Sequence, residues 1–588
     1  MPSAPRPIKA LTIPRQEIAW LAAAILLGAV LRLGYPGRMA IDHFDEGVYA
    51  SNFWFGEEQG YAYPARHLYA PPLLPAAIEW TMIIAALCGI RPSGFIPMIP
   101  SLIAGLLTIP SLWWVGRRWF GPTAGIVAAW LVAASDLHAS YSRAALTDVP
   151  VCLFILWGIY FLKQAMESGT WRDLLLASLF TGLAWWTKYN GWLPLAVGLS
   201  GGIAWQIFLP RNQRMWGTVL KRWSIVAGLS FLLWSPVLIG LQKQGGYQAV
   251  AANHRQYIHG LSQWWPNAIH QGLNAGIYDN IVGIPVEIWA ETVDQRMRGQ
   301  LGGKLLHFNS VKAVQPDITT FASSTLSVFE RTVIFPMSRV LLLATPLFLL
   351  LGALTGILIR LFRGPEDSQR IGLWFVFAWI AGLCVATPFY QPYPRLILPL
   401  HVALWLGAGL LAETIGPRIL RAETSWQRFL SSLKLEWSLP AALICCVAIR
   451  CLVGSFHAWQ DRTELAGTVR SLLKIIHDET EKAGFPRDEA IVYVAGDPPV
   501  FFNSKAEGLS LIAPIQNRDQ AERGSRPTFV LSRLDAGSDT QSRLNRGKVW
   551  SRFRDGSHLV LLDSPTCFEA TTHDVLEVER PCLLAIRT

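Results

Sequence analysis

Glu17-Ile-Ala-Trp-Leu-Ala-Ala-Ala-Ile-Leu-Leu-Gly-Ala-Val-Leu-Arg-Leu33 is an apolar run whose charges sit only at its ends. It approaches the ~20 residues that a helix needs to cross a hydrocarbon core. Arg6, Lys9 and Arg15 precede it, and no small-residue cleavage site follows. It therefore reads as an uncleaved membrane helix with a cytoplasmic N-terminus, not as a removable signal. The whole chain agrees with that reading. Its 588 residues are 52% hydrophobic and only 16% charged, with 26 Trp. Soluble domains carry about 25% charged residues, so a string of soluble domains is excluded. A formal net charge of +10 does not call for nucleic acid, because Lys and Arg gather in cytoplasmic loops of membrane proteins.

Further runs lie near 94–115, 121–139, 149–163, 173–187, 191–209, 223–240, 333–361, 371–389, 395–414 and 437–454. A shorter one, 72–90, follows Pro71-Pro72. Five basic turns should be cytoplasmic: Arg117-Arg118, Lys163 with Arg172, Arg211 to Arg222, Arg360 to Arg370, and Arg418 to Lys434. That pattern holds only if 72–90 does not cross, so it is expected as a juxtamembrane or re-entrant helix on the outer side. About eleven transmembrane helices result, in an α-helical polytopic membrane protein. The expected organisation is a membrane domain over 1–456, with outer loops 35–93 and 241–332, and an extracytoplasmic accessory domain over 457–588. In that tail Trp459 to Ala483 reads as a polar amphipathic helix, and 490–495, 528–531, 558–562 and 582–586 read as short strands of a small α/β unit. Six cysteines lie in apolar runs as small hydrophobes. Cys567 and Cys582, in the tail, can pair if it is outside the cytoplasm.

The outer segments carry the chemistry. The first reads Ile41-Asp-His-Phe-Asp-Glu-Gly-Val-Tyr-Ala50. One of its carboxylates, Asp45 or Glu46, suits a general base that takes a proton from an acceptor; a solvated loop has the same composition. The turn Tyr141-Ser-Arg-Ala-Ala-Leu-Thr-Asp-Val-Pro150 places Arg143 and Asp148 at a helix mouth. Charge there is costly unless paired or wet, so either an Arg–Asp pair or a ligand site accounts for it. Asp136 and His138, just before, fit polar packing. Thr187-Lys-Tyr-Asn-Gly191 puts Lys188 against the positive-inside pattern, as a point charge for a lipid phosphate or as a snorkelling side chain. Tyr390-Gln-Pro-Tyr-Pro-Arg395 sets a cation at a helix start, where the helix dipole disfavours it without an anion. Phosphate and a protein carboxylate both qualify. Arg66 and His67 precede the non-crossing helix, and Asn253-His254-Arg255, Tyr257 and Trp264-Trp265 open the long loop. Aromatic groups beside polar ones suit sugar faces and membrane interfaces alike.

Four of these segments, in this order, resemble the polytopic GT-C glycosyltransferases of the protein O-mannosyltransferase and lipid A aminoarabinose transferase superfamily. Phe44-Asp45-Glu46 resembles the family's Asp-Glu motif, and Tyr141-Ser-Arg143 through Pro150 its second acidic turn. Gly182 through Thr187-Lys188-Tyr-Asn-Gly191 is similar to its Thr-Lys-Gly-type turn, and Tyr393-Pro-Arg395 through Pro399 to its Tyr-x-Arg segment. The likeness covers roughly 15–415. It departs from the aminoarabinose transferases at Val48, where they have Arg, and at Tyr69-Ala-Pro-Pro72, which offers no Lys before Pro.

The resemblance implies a GT-C fold and transfer of a sugar from a polyprenyl-phosphate donor to a protein, lipid or glycan acceptor on the outer face, with inversion. It implies Asp45 as base, with Glu46 as alternative or helper, and Asp148 and His43 as acceptor-holding or orienting groups. Arg143, Lys188, Arg395, Arg66 and His67 would meet the donor phosphate, and Tyr189, Tyr393, His254 and Tyr257 the sugar or lipid. It implies no metal and no further cofactor. The envelope-type tail points to a bacterial plasma membrane, with an ER membrane as the alternative. A transporter or flippase of lipid-linked saccharides is the alternative. Internal repeats and midplane charges would favour that reading, whereas here no repeat is visible and the charges sit at helix mouths. A non-catalytic envelope subunit is a third.

Overall fold

The computed structural model describes residues 13–55, 63–279, 335–363, 367–419, 439, 442–448, 456–495, 497–515, 527–534 and 582–587. The first ten expected runs are helical. α1 (Arg15–Leu33), α4 (Ile99–Trp119), α7 (Asp148–Ser168), α8 (Trp171–Thr187), α9 (Leu193–Phe208) and α10 (Trp216–Gln242) belong to the N-terminal half. Phe335–Arg363, Asp367–Ala386 and Leu398–Ile419 follow; they are labelled α13, α14 and α15. Seven described helices are long and apolar enough to cross a membrane, and three shorter apolar helices accompany them. The chain is a multi-pass membrane protein. The eleventh run, 437–454, lies largely outside the described residues, as do strand 558–562 and Cys567.

One expected span is corrected. The run 121–139 is two helices, α5 (Pro122–Ala134) and α6 (Asp136–Ser142). Ser135 divides them, because its backbone is extended and its hydroxyl accepts the His138 amide at 3.2 Å, which makes it an N-cap. The bundle core is rich in Trp: Trp130, Trp379 and Trp405 are fully buried among Ile, Leu and Val of α4, α5, α7, α14 and α15.

A second core lies at the end of the bundle that the sequence assigns to the outside. It joins Ile41, Val48 and Tyr49 of the first loop and Leu74, Ile78 and Met82 of α3 (Leu73–Leu87) to Leu465, Val469, Phe501, Phe502 and Phe529 of the tail. α2 (Phe44–Ala50) sits at its centre. The tail contributes α16 (Glu464–Lys482), β1 (Ile491–Ala495), α17 (Pro498–Ala506), β2 (Ile512–Ile515), β3 (Thr528–Leu534) and β4 (Cys582–Arg587). The strands form one sheet in the order β2-β1-β3-β4, parallel except for β3–β4. β2 carries Pro514 and is an edge strand, where a missing N–H is tolerated. The tail helix starts at Glu464, not Trp459: His457–Trp459 forms a separate 3-10 turn, and the chain from there to Thr463 crosses the bundle end.

Two helices of the long loop complete this end. α11 (Gly246–Arg255) and α12 (Leu261–Tyr278) lie against the turn before α15. On α12, Asn267, Gln271 and Asn274 donate to the carbonyls of Pro388, Thr387 and Pro392 at 2.8, 3.0 and 2.7 Å. The His259 amide donates to Phe389 and the Gln391 amide to Tyr257. The segment that delivers Arg395 is thereby tied to the long loop.

Candidate active site

α2 starts where it does because of a reciprocal cap. The His43 imidazole accepts the Asp45 amide at 3.2 Å, and Glu46 accepts the His43 amide at 3.1 Å. Burial, reinforced by Arg395, lowers the His43 pKa to about 4, so the ring stays neutral and can accept. The cap leaves Asp45 in the first turn with its Oδ2 2.8 Å from Arg395 Nη1. Burial pushes the Asp45 carboxyl up, but Arg395 and then His43 outweigh it and hold it below its ordinary value.

A second pair lies beside the first. Asp148 opens α7, and Lys188 follows α8 in extended conformation, with Nζ 2.5 Å from Asp148 Oδ1. The turn closes through the Gly191 amide on the Lys188 carbonyl at 2.8 Å. A Cβ on Gly191 would overlap the Ala184 backbone, so this turn admits only glycine. The two pairs feel one another, for Lys188 also lowers the Asp45 carboxyl.

Aromatic side chains wall this cluster. The Arg395 guanidinium lies 5.6 Å from the Tyr393 ring centroid. Tyr257 packs on both Tyr390 and Tyr393. His254 Nδ1 is 2.9 Å from the Tyr390 hydroxyl. Burial, then Lys188, lowers the His254 pKa, so it is a neutral polar group. Tyr189 donates to the His67 carbonyl and packs edge-on against Trp234, Tyr247 and His254.

Several sequence expectations are corrected by this geometry. Arg143 does not face a phosphate, nor does it pair with Asp148. Its guanidinium donates to the carbonyls of Arg32 at 3.0 Å, Gly34, and Tyr35 at 3.2 Å. It clamps the C-terminal end of α1, where a cation is favourable. Glu46 is fully buried and both its oxygens are engaged, one by the Ala145 amide at 2.8 Å and the other by His43 and Arg462. It is a joint between loops and not a free base. His67 meets the Gln244 backbone, and Arg66 is the charge beside it. Arg66 lies near Tyr49, Tyr189 and Glu79, with burial lowering its pKa, and donates to the Ala70 carbonyl at 3.4 Å. Asp136 and His138 are polar packing. Asp136 accepts the amides of His457 and Ala458, both at 2.9 Å, and His138 meets Arg32 at 2.8 Å.

Two groups that tie the segments around the cluster together were not singled out in the sequence. The polar stripe Asn267, Gln271, Asn274 has helical spacing and was visible. Arg462, which reaches Asp42 and Glu46 from the tail, gives no local signal. Among the described residues, no three His, Cys, Asp or Glu side chains gather as a metal-holding group.

This arrangement is the GT-C fold of membrane glycosyltransferases. Residues 70–239 match the family model described as dolichyl-phosphate-mannose-protein mannosyltransferase. The apo oligosaccharyltransferase of Archaeoglobus fulgidus is similar over 88% of this chain and 70% of its own, at 13% identity and TM-score 0.52. ArnT from Cupriavidus metallidurans bound to undecaprenyl phosphate is similar over 97% of both chains, at 11% identity and TM-score 0.51. The Archaeoglobus fulgidus oligosaccharyltransferase AglB, in complex with an inhibitory peptide and a dolichol-phosphate, covers 89% of this chain and 70% of its own at 12% identity and TM-score 0.50. No curated protein matches at the sequence level.

Proposed function

We propose that this protein is a membrane glycosyltransferase that moves a sugar from a polyprenyl-phosphate donor to an acceptor hydroxyl on the outer face. The observation that carries the reading is the coupled pair of ion pairs, Asp45–Arg395 at 2.8 Å and Asp148–Lys188 at 2.5 Å, gathered beside aromatic side chains at one end of an apolar bundle. The matched family model and the lipid-phosphate complexes of similar folds support it.

The chemistry follows from which group each cation holds. The donor phosphodiester carries one negative charge, as a carboxylate does, and gains a second as the bond to the sugar breaks, so its pull on Arg395 and Lys188 grows along the reaction. Arg395 offers a planar fork and Lys188 a point charge. As Arg395 turns to phosphate, Asp45 loses the partner that depresses its carboxyl and becomes the stronger base. The acceptor oxygen attacks the anomeric carbon and gives its proton to Asp45. The carbon–oxygen bond to phosphate breaks on the opposite side, and the lipid phosphate leaves with the electron pair. Arg395 and Lys188 neutralise the departing charge, a contribution of order several kcal/mol. Asp148 returns Lys188 to place when the phosphate leaves. His43, as the cap of α2, orients Asp45. Tyr393, Tyr257 and His254 line the sugar or lipid side. With these protein cations the reaction proceeds without a metal. The bacterial plasma membrane, with the tail outside, is the proposed location.

Transfer from labelled polyprenyl-phosphate sugars, with purified wild type and Asp45→Asn in lipid discs, tests the reading. Label should move to an acceptor with wild type, persist in EDTA, and fall about 10²- to 10⁴-fold in Asp45→Asn. Label that crosses the bilayer of sealed vesicles without any transfer would sink it in favour of a flippase.

A further inference from the structure

We propose that Arg462 is a positioning residue for Asp45, which makes the tail a working part of the active site and not an appended domain. The proposal rests on the reading of Asp45 as the base. Arg462 belongs to the Phe456–Thr463 segment that crosses the bundle end. Its Nε donates to Asp42 Oδ1 at 3.0 Å, and its Nη2 reaches both Asp42 and Glu46. Its Nη1 donates to the Arg143 carbonyl at 3.1 Å, and its own amide to the Arg38 carbonyl at 3.0 Å. One side chain thus joins the loop before α2 to the turn between α6 and α7.

The neighbouring residues fix the segment that carries it. The amides of His457 and Ala458 donate to Asp136. The Trp459 indole donates to the Leu31 carbonyl at 3.1 Å, and Arg38 donates back to the Trp459 carbonyl at 3.1 Å. The other side of α2 is held by the tail as well. A Cβ on Gly47 would overlap the backbone of Pro498 and Pro499, and the Asn503 amide donates to the Ile41 carbonyl at 2.9 Å. α2 is therefore gripped between Arg462 and α17.

Charge gives Arg462 a task beyond grip. Three carboxylates, Asp42, Asp45 and Glu46, crowd one loop. Arg395 meets Asp45, and Arg462 meets the other two. Take Arg462 away and Asp42 and Glu46 lose the guanidinium that bridges them. Their uncompensated charge then lies beside Asp45, and the loop that carries the base shifts. Lys cannot replace it fully, because a point charge does not span two carboxylates in a fixed fork.

The test compares wild type, Arg462→Ala, Arg462→Lys and, as an exposed tail control paired only with Glu507, Arg470→Ala, each as full chain in lipid discs. Arg462→Ala should lower kcat about 10- to 100-fold, as a misplaced catalytic group does. KM for the donor should stay within about threefold. The acidic limb of its pH–rate profile should move up, since uncompensated carboxylates beside Asp45 favour its protonated form. Arg462→Lys should recover part of kcat, and Arg470→Ala should match wild type. Hydrogen exchange should rise in α2 while the Lys188 turn keeps its protection. The proposal is overturned if Arg462→Ala keeps kcat within about twofold. It is also overturned if kcat falls with an unmoved acidic limb and protection lost evenly over the whole outer layer, the mark of general destabilisation. If Asp45→Asn keeps full transfer, the base assignment fails, and exchange in α2 still decides whether the tail holds that helix.

Discussion

Asp45 and Glu46 are adjacent in sequence and differ chemically by the cation each one meets. Glu46 is fixed by backbone amides and by Arg462, so it does not move. Asp45 meets Arg395, a cation that a phosphate can claim. Burial raises the Asp45 carboxyl, but Arg395 and His43 together hold it below its ordinary value. The pair then contributes stability above the ordinary carboxylate pKa of about 4 and loses it as pH falls through the depressed value. In the proposed reaction donor phosphate draws Arg395 away and lets the carboxyl rise. The acidic limb of kcat/KM for the donor reports the free enzyme, and that of kcat the donor complex. The limb in kcat should therefore lie at higher pH than the limb in kcat/KM. Coincident limbs would mean that Arg395 stays on Asp45 through catalysis. Asp45, Lys188 and Arg395 were legible in the sequence as a cluster because acids and bases at helix mouths are costly and stand out. Their pairing was not. Arg143 and Arg395 look alike in sequence, yet one clamps the carbonyls that end α1 and the other faces Asp45, a distinction made only by the crossing of chains.

Helices deliver these residues by their ends. Lys188 stands after α8 and Asp148 at the start of α7, so their 2.5 Å pairing depends on the tight turn that Gly191 closes. Gly191→Ala places a Cβ against the Ala184 backbone, which cannot yield as a flexible side chain would. The turn must open, at a cost of about 1–3 kcal/mol, and Lys188 must leave its position. Affinity for polyprenyl phosphate should fall about tenfold or more, matching such a cost, while Asp45→Asn should leave binding of the phosphate much less affected. Isothermal titration with polyprenyl phosphate checks both. Equal affinity in wild type and Gly191→Ala would remove Lys188 from the phosphate site. Apolar periods revealed the long helices, but the break at Ser135 was missed because the residues on both sides of it are apolar enough to read as one run. The opposite error occurred in the tail, where Trp459 to Thr463 has helical composition but is kept out of the helix by its bonds to α1, the first loop and the turn after α6.

Two cores give the molecule its polarity. The buried face of α3, Leu74, Ile78 and Met82, joins the core shared by the first loop and the tail, and not the Trp-rich core of the bundle. Its other face exposes Trp80, Ile84 and Leu87, as an amphipathic helix lying at a membrane interface does. This is the physical counterpart of the charge argument, in which α3 must stay outside for Arg117-Arg118 to lie inside. What charge and hydropathy could not reveal is that the same layer is closed by a residue 416 positions beyond Glu46. The chain supplies its own probe of that orientation. Cys88 follows α3 directly and is exposed, while Cys152 is buried in α7. With Cys567 and Cys582 replaced by Ser, a membrane-impermeant maleimide should label Cys88 from the outside of intact cells. Asn212→Cys, in an exposed basic turn between α9 and α10, should react only after the membrane is opened. If Cys88 is protected until permeabilisation and Asn212→Cys is not, the whole bundle is inverted, and the ion pairs that are proposed to meet the donor face the cytoplasm. If both are protected, Cys88 and residue 212 share a side, so one of the five apolar runs between them does not cross. Only the labelling of Cys88 alone is compatible with an active site in which the first loop, the α6–α7 turn and the tail share one compartment.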